Sequence, residues 1–190
     1  STMTEFRVDM SDGRHKYDHP NGNTWQQYEI VNGKPHGKWT YYHHDGKISI
    51  DQSYKDGVRV GCWTTWHENG KQWSEENYDG GKKHGDFKKW RWDGVFEYEG
   101  QYKDDRKNGK WIYYYENGKK LSEGEYKKGK KVGRWLKYHD TSELFSTSWY
   151  DNGKLSGDYT EKNPAGNISV KGQYKDDLKD GKWISINDFG

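Results

Sequence analysis

Histidine and carboxylate side chains are where this 190-residue chain could hold a metal or move a proton, and their spacing argues against both. His43, His67 and His139 fall at one position of a recurring pattern, His36 and His84 at another, and His43-His44 is an adjacent pair with no third ligand beside it. Copies of one position on neighbouring hairpins stand about 10 Å apart, whereas zinc takes its nitrogen ligands at about 2.1 Å. The spacing predicts turn histidines facing water and no metal site. Glu97 and Glu99 are two residues apart, so one strand face would carry both carboxylates. A glycoside hydrolase uses such a pair, but its acid and base need a cleft that separates their environments. With Glu75, Glu76, Glu123 and Glu125, these carboxylates read instead as a solvated sheet face. Cys62, beside Trp63, reads as an inert strand residue. The chain has no Gly-x-Ser-x-Gly, no phosphate-cradling loop and no dinucleotide fingerprint. The expectation is a protein that is not an enzyme, with no catalytic residues and no cofactor.

Lys88-Lys89-Trp90-Arg91-Trp92 gathers cations and indoles in one short run. Such a run could stack nucleobases or enter a lipid headgroup boundary. Cation–π contacts and stem packing on a sheet surface are the simpler reading, because Asp79, Asp86 and Asp93 dilute the positive field. The whole chain carries 32 Lys and Arg against 30 Asp and Glu, a net charge of +2, so no field draws it to nucleic acid or to an anionic membrane. No specific nucleic acid partner is expected.

The elements that must position these residues follow from a repeat. Ile30, Tyr54, Tyr78, Tyr102, Tyr126, Tyr150 and Tyr174 recur every 24 residues, and each opens a unit that reads roughly Tyr-x-x-Gly-x-x-x-Gly-x-Trp-x-x-Tyr-x-x-Asn-Gly-Lys. Counting from that residue, offset 7 is glycine in all seven units, and offset 9 is Trp39, Trp63, Phe87, Trp111, Trp135, Tyr159 and Trp183. A period that never slips implies one supersecondary element stacked on copies of itself. Aromatic runs flank Asp45-Gly46, Asn69-Gly70 and Asn117-Gly118, which predicts hairpin tips with type I′ turns. Recurrent glycines and the absence of a 3.6-residue apolar period exclude helix. The expected fold is all-β: an elongated single-layer antiparallel meander of stacked β-hairpin repeats, about eight units and about sixteen strands, on the order of 75 Å long. Residues 1–29 form a degenerate N-terminal capping repeat, with Phe6, Asp9, Gly13 and Gly22 in phase and His15 at the Trp position. Residues 30–190 form one continuous domain of seven repeats, ending at Gly190 in a hairpin turn that leaves the last strand as an edge.

Composition alone would mislead. Leu, Ile, Val and Phe supply 24 residues, about 13%, and mean hydropathy is -1.46, values that point towards disorder. The 11 Trp and 16 Tyr reverse that reading, since each buries a large area while keeping a polar handle. Offset 12 (Tyr42, Trp66, Trp90, Tyr114, Tyr138) has the opposite parity from offset 9, so in a regular strand the two sets face opposite ways. Either offset 12 forms an exposed aromatic strip that meets a partner, or a bulge turns both sets inward. Trp73, Trp92, Trp149, Tyr41, Tyr113 and Tyr115 do not recur, so packing of the repeat does not demand them. Tyr42, Trp66, Trp73, Trp90, Trp92, Tyr114 and Tyr138 are the candidate partner-binding residues. The single cysteine fits a reducing cytosol and equally a scaffold that needs no disulfide, so the compartment stays open between a slightly favoured cytoplasm and the cell envelope. Ser1-Thr2-Met3 is compatible with residues added to the native sequence, and no apolar run reaches the length of a membrane span.

Asn32-Gly33-Lys34-Pro35-His36-Gly37-Lys38-Trp39 resembles a MORN repeat, and the full unit resembles its bacterial variant in the YwqK-type antitoxin family. The likeness covers residues 28–190, with one departure: many MORN repeats carry glycine two residues after the position of Gly37, where this chain is aromatic. The resemblance implies a β-hairpin ribbon with a concave aromatic-lined face. It also implies, for some relatives, binding of phospholipid or assembly of other proteins and, for the bacterial variant, antitoxin action, without a local motif to transfer residue by residue. The leading expectation is a non-enzymatic protein-binding scaffold, with a toxin as partner if the antitoxin label holds. The alternative is a membrane or cell-envelope module that contacts lipid or glycan.

Overall fold

The structure, a computed structural model, describes residues 7–186. The expectations placed on Ser1 to Met3, on Phe6 and on Gly190 lie outside the described residues. The chain divides into two compact units, Ser1–Lys82 and Lys83–Gly190. The described residues form eighteen strands and no helix. The first unit contains β1 (Gly13–Asp18), β2 (Thr24–Val31), β3 (Lys34–Pro35), β4 (Gly37–Tyr42), β5 (Ile48–Lys55), β6 (Val58–Arg59), β7 (Gly61–Trp66) and β8 (Gln72–Asp79). β9 (Lys82–Trp90) opens the second, followed by β10 (Phe96–Lys103), β11 (Arg106–Tyr114), β12 (Lys120–Lys127), β13 (Lys130–Tyr138), β14 (Leu144–Asp151), β15 (Lys154–Leu155), β16 (Gly157–Lys162), β17 (Ile168–Lys175) and β18 (Leu178–Ser185). Within each unit successive strands pair antiparallel, as in β4 with β5 and β11 with β12, so the meander has one hairpin per repeat. The count exceeds sixteen because short pieces such as β3, β6 and β15 are split from the strands they continue.

The hairpin tips are not the type I′ turns that the sequence led us to expect. At Asp45-Gly46 the backbone N–H of Gly46 donates to His43 O at 2.9 Å and that of His43 to Lys47 O at 2.8 Å. Only Gly46 has positive φ there (85°), and the register slips between Tyr41 and Tyr42. This is a type I turn closed by a glycine bulge, not type I′. The residue before the glycine contributes a side-chain acceptor, Asp45 Oδ1 to Lys47 N at 3.0 Å, and has no need of positive φ. Positive φ at both central residues occurs instead in the two-residue connections between repeats: Asn32-Gly33 (51° and 70°), Lys128-Gly129 (50° and 82°) and Asp176-Asp177 (49° and 68°).

Offset 7 is always glycine because the strand bulges there, with φ between 66° and 110° in all seven copies. In β10 and β11 the pairing jumps from Gln101 with Asn108 to Glu99 with Ile112, so Gly109, Lys110 and Trp111 face Gly100 alone. The bulge swings the indole across the preceding strand, where Trp111 Nε1–H donates to Gln101 O at 3.0 Å. Trp63 and Trp135 make the same bond to Ser53 O and Glu125 O, at 3.0 and 3.2 Å. A Cβ at Gly100, Gly124 or Gly172 would stand inside the ring of Trp111, Trp135 or Trp183. Trp111 is 0% exposed although the sheet is one layer thick.

Tyrosines fill the gaps between these indoles edge to face. Tyr102 meets Phe87 and Trp111 with centroids 5.4 Å from each and planes at 77° and 85°. Tyr126 meets Trp111 and Trp135 at 6.0 and 5.1 Å. In the first unit Tyr54 bridges Trp39 and Trp63, at 6.0 and 5.2 Å. At its start His15 stacks on Tyr28 (4.9 Å), which stacks on Trp39 (4.1 Å), so the degenerate repeat keeps a rung of the ladder with a smaller ring.

Candidate functional site

Strand alternation separates two aromatic rows. Trp111 pairs with Gly124 on the ladder face, whereas its neighbour Ile112 pairs with Glu99 and Glu123 on the other. The Tyr114 hydroxyl donates to Glu99 at 2.7 Å and that of Tyr138 to Glu123 at 2.7 Å, which places offset 12 on the face opposite the ladder. There the row runs beside the hairpin tips. In the second unit Trp90 stacks on Phe96 at 5.1 Å and Phe96 on Tyr114 at 5.7 Å. In the first, the Tyr42 hydroxyl accepts from Gln27 Nε2 at 2.8 Å, and Trp73 stacks on His67 at 5.2 Å.

Five of the seven candidate residues, Tyr42, Trp66, Trp90, Tyr114 and Tyr138, are half-buried rather than a bare strip. The bonds to Gln27, Glu99 and Glu123 account for the three phenols, which lie along the sheet instead of standing up from it. Trp73 and Trp92 are the open ones, 47% and 55% exposed. Trp149, outside that set, is 43% exposed in cross-strand register with Arg134.

His43, His67 and His139 are half-buried rather than water-facing, whereas His44 and His84 are exposed. His19 Nε2–H donates to Tyr42 O at 2.9 Å and His43 Nε2–H to Trp66 O at 3.1 Å. In the second unit Arg91, Tyr115 and His139 do the same for Tyr114 O, Tyr138 O and Lys162 O, at 3.2, 2.7 and 3.2 Å. One donor at offset 13 thus ties each of these tips to the next, and His19, His67 and His139 also lie against Trp25, Trp73 and Phe145, six residues on. The recurrence of His, Arg and Tyr at offset 13 was the signal: long donors, rather than metal ligands. No group of three or more His, Cys, Asp or Glu residues suited to a metal occurs among the described residues.

A second recurring feature is cationic. Arg59, Lys83, Lys107, Lys131 and Lys179 share offset 5, and each lies over ladder rings: Lys107 Nζ is 4.4 Å from the Trp111 centroid and Lys131 Nζ 4.3 Å from that of Trp135. Burial, then the neighbouring Lys107, holds the Lys131 ammonium below the usual lysine range. Sequence reasoning missed this column, although a basic residue in five of seven copies marks it. In the Lys88 to Trp92 run, Lys89 pairs with Glu97 at 3.6 Å and covers Tyr98 at 5.5 Å, so it packs on the sheet.

Carboxylates on the face opposite the ladder are structural partners. Glu123 accepts from the Tyr138 hydroxyl, and Lys110 and Lys120 approach it at 3.0 and 3.3 Å. Burial alone would raise its pKa, but the hydroxyl and the two ammonium groups outweigh that and bring it to about 2. The converse holds for Tyr138, pushed up to about 12 by burial and then by Glu123. Glu99 is likewise committed to Tyr114, and Glu97, at the bulge between Phe96 and Tyr98, pairs with Lys89.

One layer of hairpins with a ring ladder on one face and tied tips on the other is a repeat scaffold. Residues 35–56, 59–79 and 107–128 match the family model described as MORN repeat variant, which supports a MORN-type repeat protein. Each match takes in one glycine bulge with its ladder aromatic or the connecting turn beside it. Repeats of this type are non-catalytic modules that bind proteins or membrane lipids. No curated protein matches the chain.

Proposed function

We propose that this protein is a non-enzymatic scaffold in which each unit can hold another protein along its own tip-side aromatic row, with residues 1–29 as a capping repeat and residues 30–190 as one continuous domain of seven repeats. The observation that carries this reading is Trp73 and Trp92, large rings left 47% and 55% exposed beside half-buried Trp66 and Trp90. Exposed Trp and Tyr flanked by polar groups are typical anchors of protein interfaces. Following the antitoxin resemblance, the partner is a bacterial toxin bound in the cytoplasm. The test is affinity capture from native lysate, followed by reconstitution with the purified partner and with the product of a neighbouring reading frame. Loss of binding in Trp73→Ala and Trp92→Ala variants supports the reading, and recovery of no specific protein defeats it.

Attachment to anionic lipid is the second reading, favoured by exposed lysines at the connecting turns, among them Lys55, Lys103, Lys127 and Lys175. Flotation with anionic vesicles separates it from the first.

A further inference from the structure

The ladder face of the second unit is interrupted where the repeat loses rings. Beside Trp111 the flanking row is full: Tyr98 and Tyr113 are cross-strand partners 5.9 Å apart, each 6.2 Å from that indole. One repeat on, the equivalents of Tyr98 and Tyr113 are Ser122 and Lys137, and beyond them Ser146 pairs with Glu161. Ser148 stands in the place of Gly124, Tyr159 in that of Trp135, and Leu155 in that of Lys131. The lost ring volume leaves a depression of about 440 Å³.

Its lining is mixed. Trp135, Tyr150, Tyr159 and Tyr174 supply ring surface, and Ser122, Ser146 and Ser148 supply hydroxyls. Lys131 lies over Trp135 and Tyr150, at 4.3 and 5.0 Å, and has no carboxylate partner among the described residues. Lys137 stands at the rim with its ammonium 5.7 Å over Phe145. Glu161 borders the depression, accepting from the Tyr159 hydroxyl at 2.6 Å. The Ser146 and Ser148 hydroxyls bond to Tyr159 and Tyr150, so a purely apolar ligand would cover these hydroxyl pairs and the Lys131 ammonium without offering them a partner, and a phosphate would meet the Glu161 carboxylate. A pyranose ring suits the set, with C–H faces for the aromatic rings and hydroxyls that both donate and accept.

We propose that this depression binds one sugar residue of a glycan. It lies on the ladder face, away from the tip-side row, so it stands or falls apart from the protein-binding reading.

The test is a titration of the full chain with glucose, galactose, N-acetylglucosamine and glucuronic acid, followed by amide NMR, to about 10 mM, which fills a site of about 1 mM Kd to about 90%. At least one sugar is expected to shift Ser146, Ser148 and Tyr159 while leaving Trp73 unchanged. The double substitution Lys137→Tyr with Ser146→Tyr rebuilds the preceding repeat's own ring pair and should weaken binding at least about tenfold. Ser148→Val, a smaller change, guards against misfolding of that variant and should also weaken binding. A flat response to every sugar, a response to inorganic phosphate alone, or undiminished binding by folded variants overturns the assignment.

Discussion

Ladder and tip-side row are built from the same residue types and held by different chemistry. In the ladder, ring edges meet ring faces, indoles lie on glycine backbone, and lysine stems cover what remains, so Trp111 is closed off from water. In the tip-side row, phenols spend their hydroxyls on Glu99 and Glu123, and the tips are fastened by side-chain donors to backbone carbonyls. A one-layer sheet has only its sequence neighbours to bury against, so one face must carry the apolar stabilisation. Polar ties secure the tips, and Trp73 and Trp92 keep 47% and 55% of their surface open to a partner.

The largest effects should separate the two rows. Trp111→Ala removes a fully buried indole and should cost about 3–5 kcal/mol. Gly100→Ala changes a single hydrogen to a methyl yet drives it into the same ring, at a cost of about 2–3 kcal/mol. Tyr114→Phe in the tip-side row should cost only about 1 kcal/mol, the worth of one hydrogen bond to a carboxylate. Urea midpoints of the three variants measure the contrast, and similar values for Trp111→Ala and Tyr114→Phe would erase it.

Much of this contrast was legible in the sequence. The 24-residue period, the hairpin plan and the opposite parity of offsets 9 and 12 all follow from spacing, and the strand register bears them out. The type of the tip turn was not legible, because Asn-Gly and Asp-Gly serve both a two-residue I′ turn and a type I turn with a bulge glycine, and loop closure decides between them. Burial at offset 12 was left open for a related reason: alternation tells which face a ring occupies but not whether it stands up or lies flat against a carboxylate 15 residues earlier. The offset-5 lysines were missed, since a cation's position over a ring depends on the bulge that turns the indole.

Acid titration sharpens the account of what anchors the tip-side row. Glu123 has a folded pKa of about 2 against an ordinary value of 4.5, so its contribution is complete above about pH 4.5 and is lost as pH falls towards 2. Glu123→Gln should cost about 1–2 kcal/mol at neutral pH. The stability difference between the variant and the parent should shrink steadily over that acid window, and a difference independent of pH would remove the carboxylate from the argument.

Backbone conformation gives a smaller effect of either sign. Gly133→Ala meets no atom within 4 Å, so its cost of about 1 kcal/mol is conformational, from φ of 66°. Ser142 holds φ of 88° at a tip where other repeats have glycine, and Ser142→Gly should raise stability by about 0.5–1 kcal/mol.

The smallest expected effect on stability is the most informative about function. Trp73 stacks on His67 but is half open to water, and an exposed substitution of this kind changes stability by about 0.5 kcal/mol or less. If the row exists to meet a partner, Trp73→Ala should leave the urea midpoint nearly unchanged while weakening partner binding by at least about tenfold, the usual scale for a Trp anchor. Surface plasmon resonance with the captured partner measures the second quantity on the same sample as the first. A variant that loses stability and keeps its affinity would assign Trp73 to the scaffold and leave the tip-side row without its main anchor in the first unit.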